Sequence, residues 1–501
     1  MPQQLSYSLS LTYVDLLLWV MVIVGMLGAL WALRREYWRN AYAQITQSNT
    51  AVISFAIISL LLAIALTDSI TLQPYRQLTK QSISDISKNN ATHTFKVGDK
   101  QKFGSSITLL DRLLKAVILP EEKTYSSPFA TRSLSMIDDK NDQGVKIRIY
   151  PPLKYVCRQL REEQSVIQKK AIENTQIPDD VASTYLSKKI LFGLGYSLLI
   201  APLSIGLVYW LWVILGIGRL KKQGQKSSRP AKNKIVCVLS FVAITSITLV
   251  TILYLSQFYH VLGTDKTGGS VLGAAVKSIR TGIVIGTLTT FIIAPISIIM
   301  GVSAGYFKGW VDDAVQYLYT TLSSIPSILL IIASMFIVNI LQPKDYTTAQ
   351  VADFKLFWLC VVLAITSWAN ICRLVRAETL KLREIEYIQA ATALGQNHFM
   401  IIIKHIIPNV MHIVLITIVL RFSGLVLSEA VLAYIGVGLD PSMNSWGNMI
   451  VQAQSELARA PLVWWNFLTA LFFMILLVLP ANLLGDAIRD ALDPRLRTQS
   501  D

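Results

Sequence analysis

Charge is scarce in this sequence. Only 15% of its 501 residues are Asp, Glu, Lys or Arg, against about 25% in a soluble domain. That shortfall excludes an ordinary water-soluble globule. Acids are the scarcer sign: 31 Asp and Glu stand against 46 Lys and Arg, a net charge of +15. Cysteine is also scarce. Cys157, Cys237, Cys360 and Cys372 show no CxxC and no Cys/His spacing, so neither a zinc module nor a disulfide framework is expected. Cys157 stands alone in a polar segment, which therefore has no internal disulfide. A Gly-x-x-x-x-Gly-Lys-Ser/Thr phosphate loop is missing; "GTDKTGGS" (263–270) is Gly-rich, but its lysine falls at the wrong spacing. The five histidines, His93, His260, His398, His405 and His412, are scattered. With no Ser/His/Asp set either, the chain is expected to be no enzyme and to bind no metal or cofactor itself.

What the chain has is apolar length. Hydrophobic residues make up 53% and the mean hydropathy is +0.48. Several runs approach or exceed the ~20 residues that cross about 30 Å of hydrocarbon. The reading is an all-α membrane protein with about nine spans, near 13–33, 51–72, 190–217, 235–257, 281–303, 315–341, 356–374, 411–430 and 462–485. The N-terminus lacks a basic n-region and a cleavage site, so the first run is expected to be a retained span.

The bases sit in short links beside the spans, which reports orientation rather than a nucleic-acid partner. Arg34, Arg35 and Arg39 follow the first span. Arg219, Lys221, Lys222, Lys226, Arg229, Lys232 and Lys234 follow the third, with no acid between 218 and 234. Both links are expected to be cytoplasmic. The first twelve residues hold no Lys or Arg, which suits an outside N-terminus. Nine spans then leave the C-terminus, with Arg489, Arg495 and Arg497, in the cytoplasm. This divides the chain into a three-span part (1–217) with an extracytoplasmic insert at 73–189, a basic linker (218–234) and a six-span part (235–501). "LLDRLLKAVIL" (109–119) and "YVCRQLREEQSVIQKKAI" (155–172) in the insert read as helical, broken by "IYPPLKY" (149–155).

The link from 375 to 409 is the most informative stretch. "RLVRAETLKLREIEYIQAATALG" (373–395) is rich in helix formers and free of proline. Leu380, Ile385, Ile388, Ala391 and Leu394 fall toward one side, and Gly395 suits a left-handed cap. "HFMIIIKHII" then continues as helix to Pro408. On physics alone this is either a helix pair resting on lipid or a docking element.

Gln389-Ala390-Ala391, Gly395 and His405-Ile406-Ile407-Pro408 fit a known spacing: Glu-Ala-Ala, three residues, Gly, nine residues, Ile-x-Leu-Pro. The segment resembles the cytoplasmic coupling loop of importer-type ABC transporter permeases. Gln389 stands for the Glu, His405 for the first Ile and Ile407 for the Leu. "HVLGTDKTGGSVL" (260–272), "AGYFKGWVDDAV" (304–315), Ile325-Pro326, "SEAVLAYIGVGLDPSMNSWGNM" (428–449) and "LLGDAIRDALDPRLR" (483–497) narrow the likeness. They resemble the C-type permease subunits of oligopeptide and dipeptide importers. Gly269-Ser270 replaces that family's Arg-Asp. The likeness covers about 235–501, so the first 234 residues are extra to the usual six-span subunit.

The resemblance implies partners: a second permease subunit beside this one in the lipid of a bacterial inner membrane, two cytoplasmic ATPase subunits carrying ATP and Mg, and an extracytoplasmic solute-binding protein. It implies that 389–408 docks on an ATPase and that the spans alternate between two openings. Charges inside spans are functional candidates by default. Arg421 and Glu429 share a face of the eighth span, about 12 Å apart along its axis. Glu429 matches a gate-side glutamate. Arg421 either lines the path or pairs with another span or the partner subunit. Pro326, Gly424, Gly436 and Gly438 are helix-loosening positions suited to a gate or to close packing. Another cargo on the same scaffold (nickel, a polyamine, an antimicrobial peptide) stays open. So does a membrane-anchored sensor or assembly protein whose active part is the insert.

Overall fold

The computed structural model describes residues 6–9, 12–34, 36–46, 48–77, 100–102, 107–114, 122–140, 146–153, 179–214 and 230–492. Residues 218–229 of the basic linker lie outside them, as does the expected helix at 155–172; residues 230–234 open a helix.

Helix α1 (Tyr13–Leu33) leads through a short helix α2 (Glu36–Ile45) into α3 (Asn49–Asp68). Strand β1 (Ser6–Leu9) precedes α1, and β2 (Thr71–Gln77) follows α3. The two pair antiparallel, Ser6 opposite Tyr75 and Leu9 opposite Leu72. The start of α1 and the end of α3 therefore lie at one end of the molecule. β2 also pairs with β3 (Lys100–Lys102) and β4 (Ile107–Thr108). Pro74 stands opposite Tyr7 of β1 and falls between the β3 and β4 contacts. Helix α4 (Leu109–Leu113) carries a capping box between Thr108 and Asp111. Strands β5 (Ile137–Lys140) and β6 (Lys146–Ile149) form a hairpin. The described part of the insert is thus largely strand and loop; of the expected helix at 109–119, Leu109–Leu113 is helical with Leu114 as its C-cap, and 115–119 lie outside the described residues. The strands are short and polar, so they carry no hydrophobic period to betray them.

The long helices follow: α5 (Asp179–Ile214), α6 (Pro230–Leu255), α7 (Val271–Phe307), α8 (Gly309–Ser324), α9 (Ser327–Ile340) and α10 (Thr348–Arg383). Then come α11 (Glu386–Ala393), α12 (His398–Ile401), a π-turn (Ile402–Ile406), α13 (Ile407–Tyr434), α14 (Trp446–Glu456) and α15 (Trp465–Leu492). Eight helices among the described residues are long and apolar enough to span a bilayer. The expected sixth span is a bent pair instead: α8 and α9 meet at 89°. Ile325 is held extended (φ −91°, ψ 131°) before Pro326, as a residue preceding proline prefers.

Packing centres on α7. Gly282/Gly286 and Gly301/Gly305 are two small-x-x-x-small pairs along it. A Cβ at Gly301 would lie 2.9 Å from the Cys372 carbonyl, and one at Gly305 2.9 Å from that of Arg376. This brings α7 and α10 into backbone contact. Gly282 receives the Trp446 ring and Gly286 the Phe422 ring. Helix α3 packs against both α7 and α15, while α6 packs chiefly on α5 and α3. An N-terminal helix therefore lies directly on the C-terminal bundle.

A buried ion pair fixes that arrangement. Asp15 in α1 is fully buried, and Arg280 of α7 donates to it through Nε at 2.8 Å and Nη2 at 2.5 Å. Asp353 of α10 accepts from the Val14 N–H. One turn from Arg280, Lys277 meets Asp111 of α4 at 2.5 Å.

Candidate functional site

Two regions at opposite ends of α7 hold the singled-out residues other than Arg421 and Pro326. The first surrounds the 383–408 loop. Helix α10 ends at Arg383, earlier than expected, and α11 begins after the extended Ile385. The Gln389 side-chain amide donates to the Glu384 carbonyl across this break at 3.2 Å. A glutamate in its place has no such donor. Gly395, at φ +75°, closes α11 with a Gly395–Thr392 and a Gln396–Ala391 backbone bond, the left-handed cap its sequence position implies.

Pro408 does not stop the following helix. Residues 398–434 form one apolar rod. The wider π-turn just before Pro408 absorbs its missing N–H and the clash of its ring with the preceding turn. Asn409 donates to the His405 carbonyl at 2.7 Å and to the Tyr387 hydroxyl at 3.0 Å, tying the rod to α11.

The loop has an inner and an outer face. Ile388, Ile401 and Ile406 are buried among Val302, Val375 and Leu382. The tip turns the other way: Leu394 is 88% exposed and Phe399 68%, with Met400 beside them. The expected grouping of Leu394 with Ile388 fails, because Leu394 is the C-cap and points off the end of α11. Ala390 is exposed and Ala391 half-buried. Lys308 and Glu384 form an exposed ion pair at 2.9 Å, which holds the Glu384 carboxyl below its usual range.

The second region lies at the other end. Glu429 is buried, with Ser445 and Gly447 as neighbours; a Cβ at Gly447 would lie 2.5 Å from its Oε1. It lies where α14 meets α13. Gly436 (φ +86°) caps α13, and Gly438 sits against Ala433. The Thr281 hydroxyl donates to the Asn444 carbonyl at 2.7 Å, and Trp446 Nε1 to that of Ala275 at 3.1 Å. Lys355 meets Asp440 at 3.0 Å. Burial opposes ionisation of Asp440, yet Ser442 donors and Lys355 hold its carboxyl below the usual range. Arg421, half-buried in mid-span, has no hydrogen bond or ion pair among the described residues. Pro326 lies apart, exposed at the α8–α9 bend.

The insert crosses this same end. Residues 122–134 form a strap over the 260–268 loop. Glu122 N donates to the Gly268 carbonyl and Phe129 N to that of His260. Thr264 bonds Ser126 from both backbone and side chain. Trp465 Nε1 donates to the Thr264 carbonyl, and Arg459 lies over the Tyr125 ring at 4.9 Å. Glu456, also buried here, accepts from Asn466 at 3.1 Å; burial raises its carboxyl above the usual range. Ser270 serves as N-cap of α7, a role open to the aspartate it replaces. Gly269 lies beside Asp265, whose carboxylate accepts from the Gly269 N–H.

His260 under the strap is 2% exposed, with neither ring nitrogen hydrogen-bonded. Burial lowers its pKa below the ordinary 6.5, opposed by Glu122. The folded state therefore favours the neutral ring. Its contribution is full above the unfolded pKa and declines as pH falls through about 6.5, by up to ~1.4 kcal/mol per unit. Protease cleavage of the strap is expected to accelerate between pH 7.5 and 5.5, and His260→Phe to flatten that dependence. Equal cleavage at both pH values in the native chain would refute it.

Residues 297–498 match the family model described as binding-protein-dependent transport system inner membrane component. An oligopeptide transport system permease protein OppC of Mycobacterium bovis is 32% identical over 239 residues, 48% of this chain and 77% of that one. A glutathione transport system permease protein GsiD of Pectobacterium atrosepticum is 32% identical over 239 residues, 48% and 74% respectively. A solved chain of the MetNI methionine ABC transporter is 18% identical, covering 44% of this chain and 98% of that one, with a TM-score of 0.35, too low for geometric comparison. With its apolar helices and these matches, the chain belongs to the multi-pass inner-membrane permeases of binding-protein-dependent ABC transport systems.

Proposed function

We propose that this permease subunit imports di- or oligopeptides by alternating access, driven by separate ATPase subunits that dock on the 389–408 loop. The observation that carries this reading is the exposed apolar tip, Leu394, Phe399 and Met400, on a buried Ile388/Ile401/Ile406 heel. A tip meant to rest on lipid gains nothing from such rigid seating. A surface that must follow another protein's motion needs it. Coupling further requires contacts that differ between two states, and the break at Ile385 and the π-turn are where the loop can rock.

The loop and the strap lie at opposite ends of α7. The basic link after α1 leads into α2, whose Ala41 packs on Ala491 and Leu492 at the end of α15. This supports a cytoplasmic loop and C-terminus, with the N-terminus and insert outside. The peptide cargo rests on the relatives named for oligopeptides; glutathione, itself a short peptide, is the second reading. The expected partners are a second permease chain, two ATPase subunits and a solute-binding protein.

Leu394→Asp with Phe399→Asp is expected to strip the ATPase subunits from the complex purified from its own membrane. Truncating a central apolar anchor costs about 2–4 kcal/mol, roughly 30- to 700-fold in affinity. Full retention of ATPase by the double variant would defeat the docking reading.

A further inference from the structure

The direct route from the tip into the membrane has a soft point. The π-turn at 402–406 interrupts the regular hydrogen-bond ladder between α12 and α13. A second route bypasses it. The Tyr306 hydroxyl, at the end of α7, bonds His398 Nδ1 at 2.7 Å. Arg383 Nη1 donates to the Tyr306 carbonyl at 2.7 Å, with its guanidinium 5.9 Å from the Tyr306 ring. Phe307 sets its ring edge-on to His398. Tyr306 is buried and held, so this contact is stiff at the α7 side.

α7 is a single 37-residue helix ending just past Tyr306, about 55 Å long, and it stays one helix through Pro295, where one ladder bond is missing. At its far end it grips α14 through Trp446 seated on Gly282 and bonded to Ala275, and through Thr281 bonded to Asn444. We propose that Tyr306 is a positioning residue: it latches the loop tip to α7, and α7 carries the tip's displacement to the α14 segment beside Glu429. The proposal rests on the docking reading above. It assigns to Tyr306 and His398 a role that neither the loop spacing nor any expected site residue contains.

The test uses the complex purified from its own membrane in nanodiscs, with Tyr434→Cys as reporter, since Tyr434 is exposed at the end of α13. The readout is the change in maleimide labelling of that cysteine on adding MgATP and vanadate. Adding Tyr306→Phe, which keeps the ring and deletes the hydroxyl, is expected to reduce that change at least fivefold while ATP hydrolysis stays within twofold. His398→Asn, whose Oδ1 stands near the place of Nδ1, is expected to retain at least half of it. An undiminished labelling change in Tyr306→Phe overturns the latch alone. No nucleotide-dependent change in the Tyr434→Cys background overturns the docking reading and the latch with it. A proportional fall in hydrolysis and labelling response marks a merely structural tyrosine and also overturns the latch.

Discussion

Asp15→Ala is expected to destabilise the permease by about 3–5 kcal/mol, because it leaves the Arg280 guanidinium buried without its partner. A whole domain typically has only about 5–15 kcal/mol in hand. The Arg280 side chain is only 14% exposed and α1 covers that part of α7, leaving the Asp68 and Asp353 carboxyls as its remaining acidic neighbours. The loss is read as a lower midpoint in thermal unfolding of the detergent-solubilised protein, followed by tryptophan fluorescence. Asp15→Ala combined with Arg280→Leu should recover most of it, since replacing both members of a buried pair by apolar groups is often nearly neutral. A wild-type midpoint in the single variant would show that the N-terminal helix is held by apolar packing alone.

The second large effect concerns the strap. Gly268 has φ +83°, and a Cβ there would stand 1.9 Å from the Glu122 carbonyl oxygen. Gly268→Ala meets two penalties. The left-handed backbone costs about 1–2 kcal/mol. The clash then drives off the strap and its Glu122–Gly268 bond, about 1 kcal/mol more. Trypsin cleavage after the exposed Lys123 should rise at least tenfold. Gly309→Ala is the matched control: it shares a positive φ (+59°) but meets nothing within 4 Å, so strain without a clash should leave the strap uncut. Equal cleavage of the Gly268 variant and the native chain would show that the strap yields without detaching.

The parts that were legible in the sequence are those written locally. Apolar length located the spans, and Gly395 announced its cap. The spacing from Ala390 to Pro408 marked a segment that does sit as a compact hinge at one end of the bundle. The parts that were not legible depend on residues far apart in the chain. Arg280 looked like the edge of an apolar run; only the fold shows Asp15, 265 residues earlier, buried against it. The glycine pairs on α7 were visible as letters, but their meaning depends on which helix arrives opposite. The strap escaped because it holds no helix or strand, only an isolated bridge between Arg132 and Pro152, and its bonds go mainly to backbone. Arg421 and Glu429 attracted notice equally as charges within a span, yet one is buried against Gly447 while the other has no partner among the described residues. The resemblance matched Glu429 to a gate-side glutamate and left the role of Arg421 open.

The Asp15–Arg280 pair also constrains the order of biosynthesis. At about 5–20 residues per second, the ribosome needs roughly 13–53 seconds to travel the 265 residues between them. During that interval Asp15 has no cation from α7. Its place at the very start of α1, near the membrane surface, leaves it in reach of water until α7 arrives. The final burial of Asp15 is therefore an event of assembly, completed only when the C-terminal helices close around an N-terminal hairpin that was inserted first.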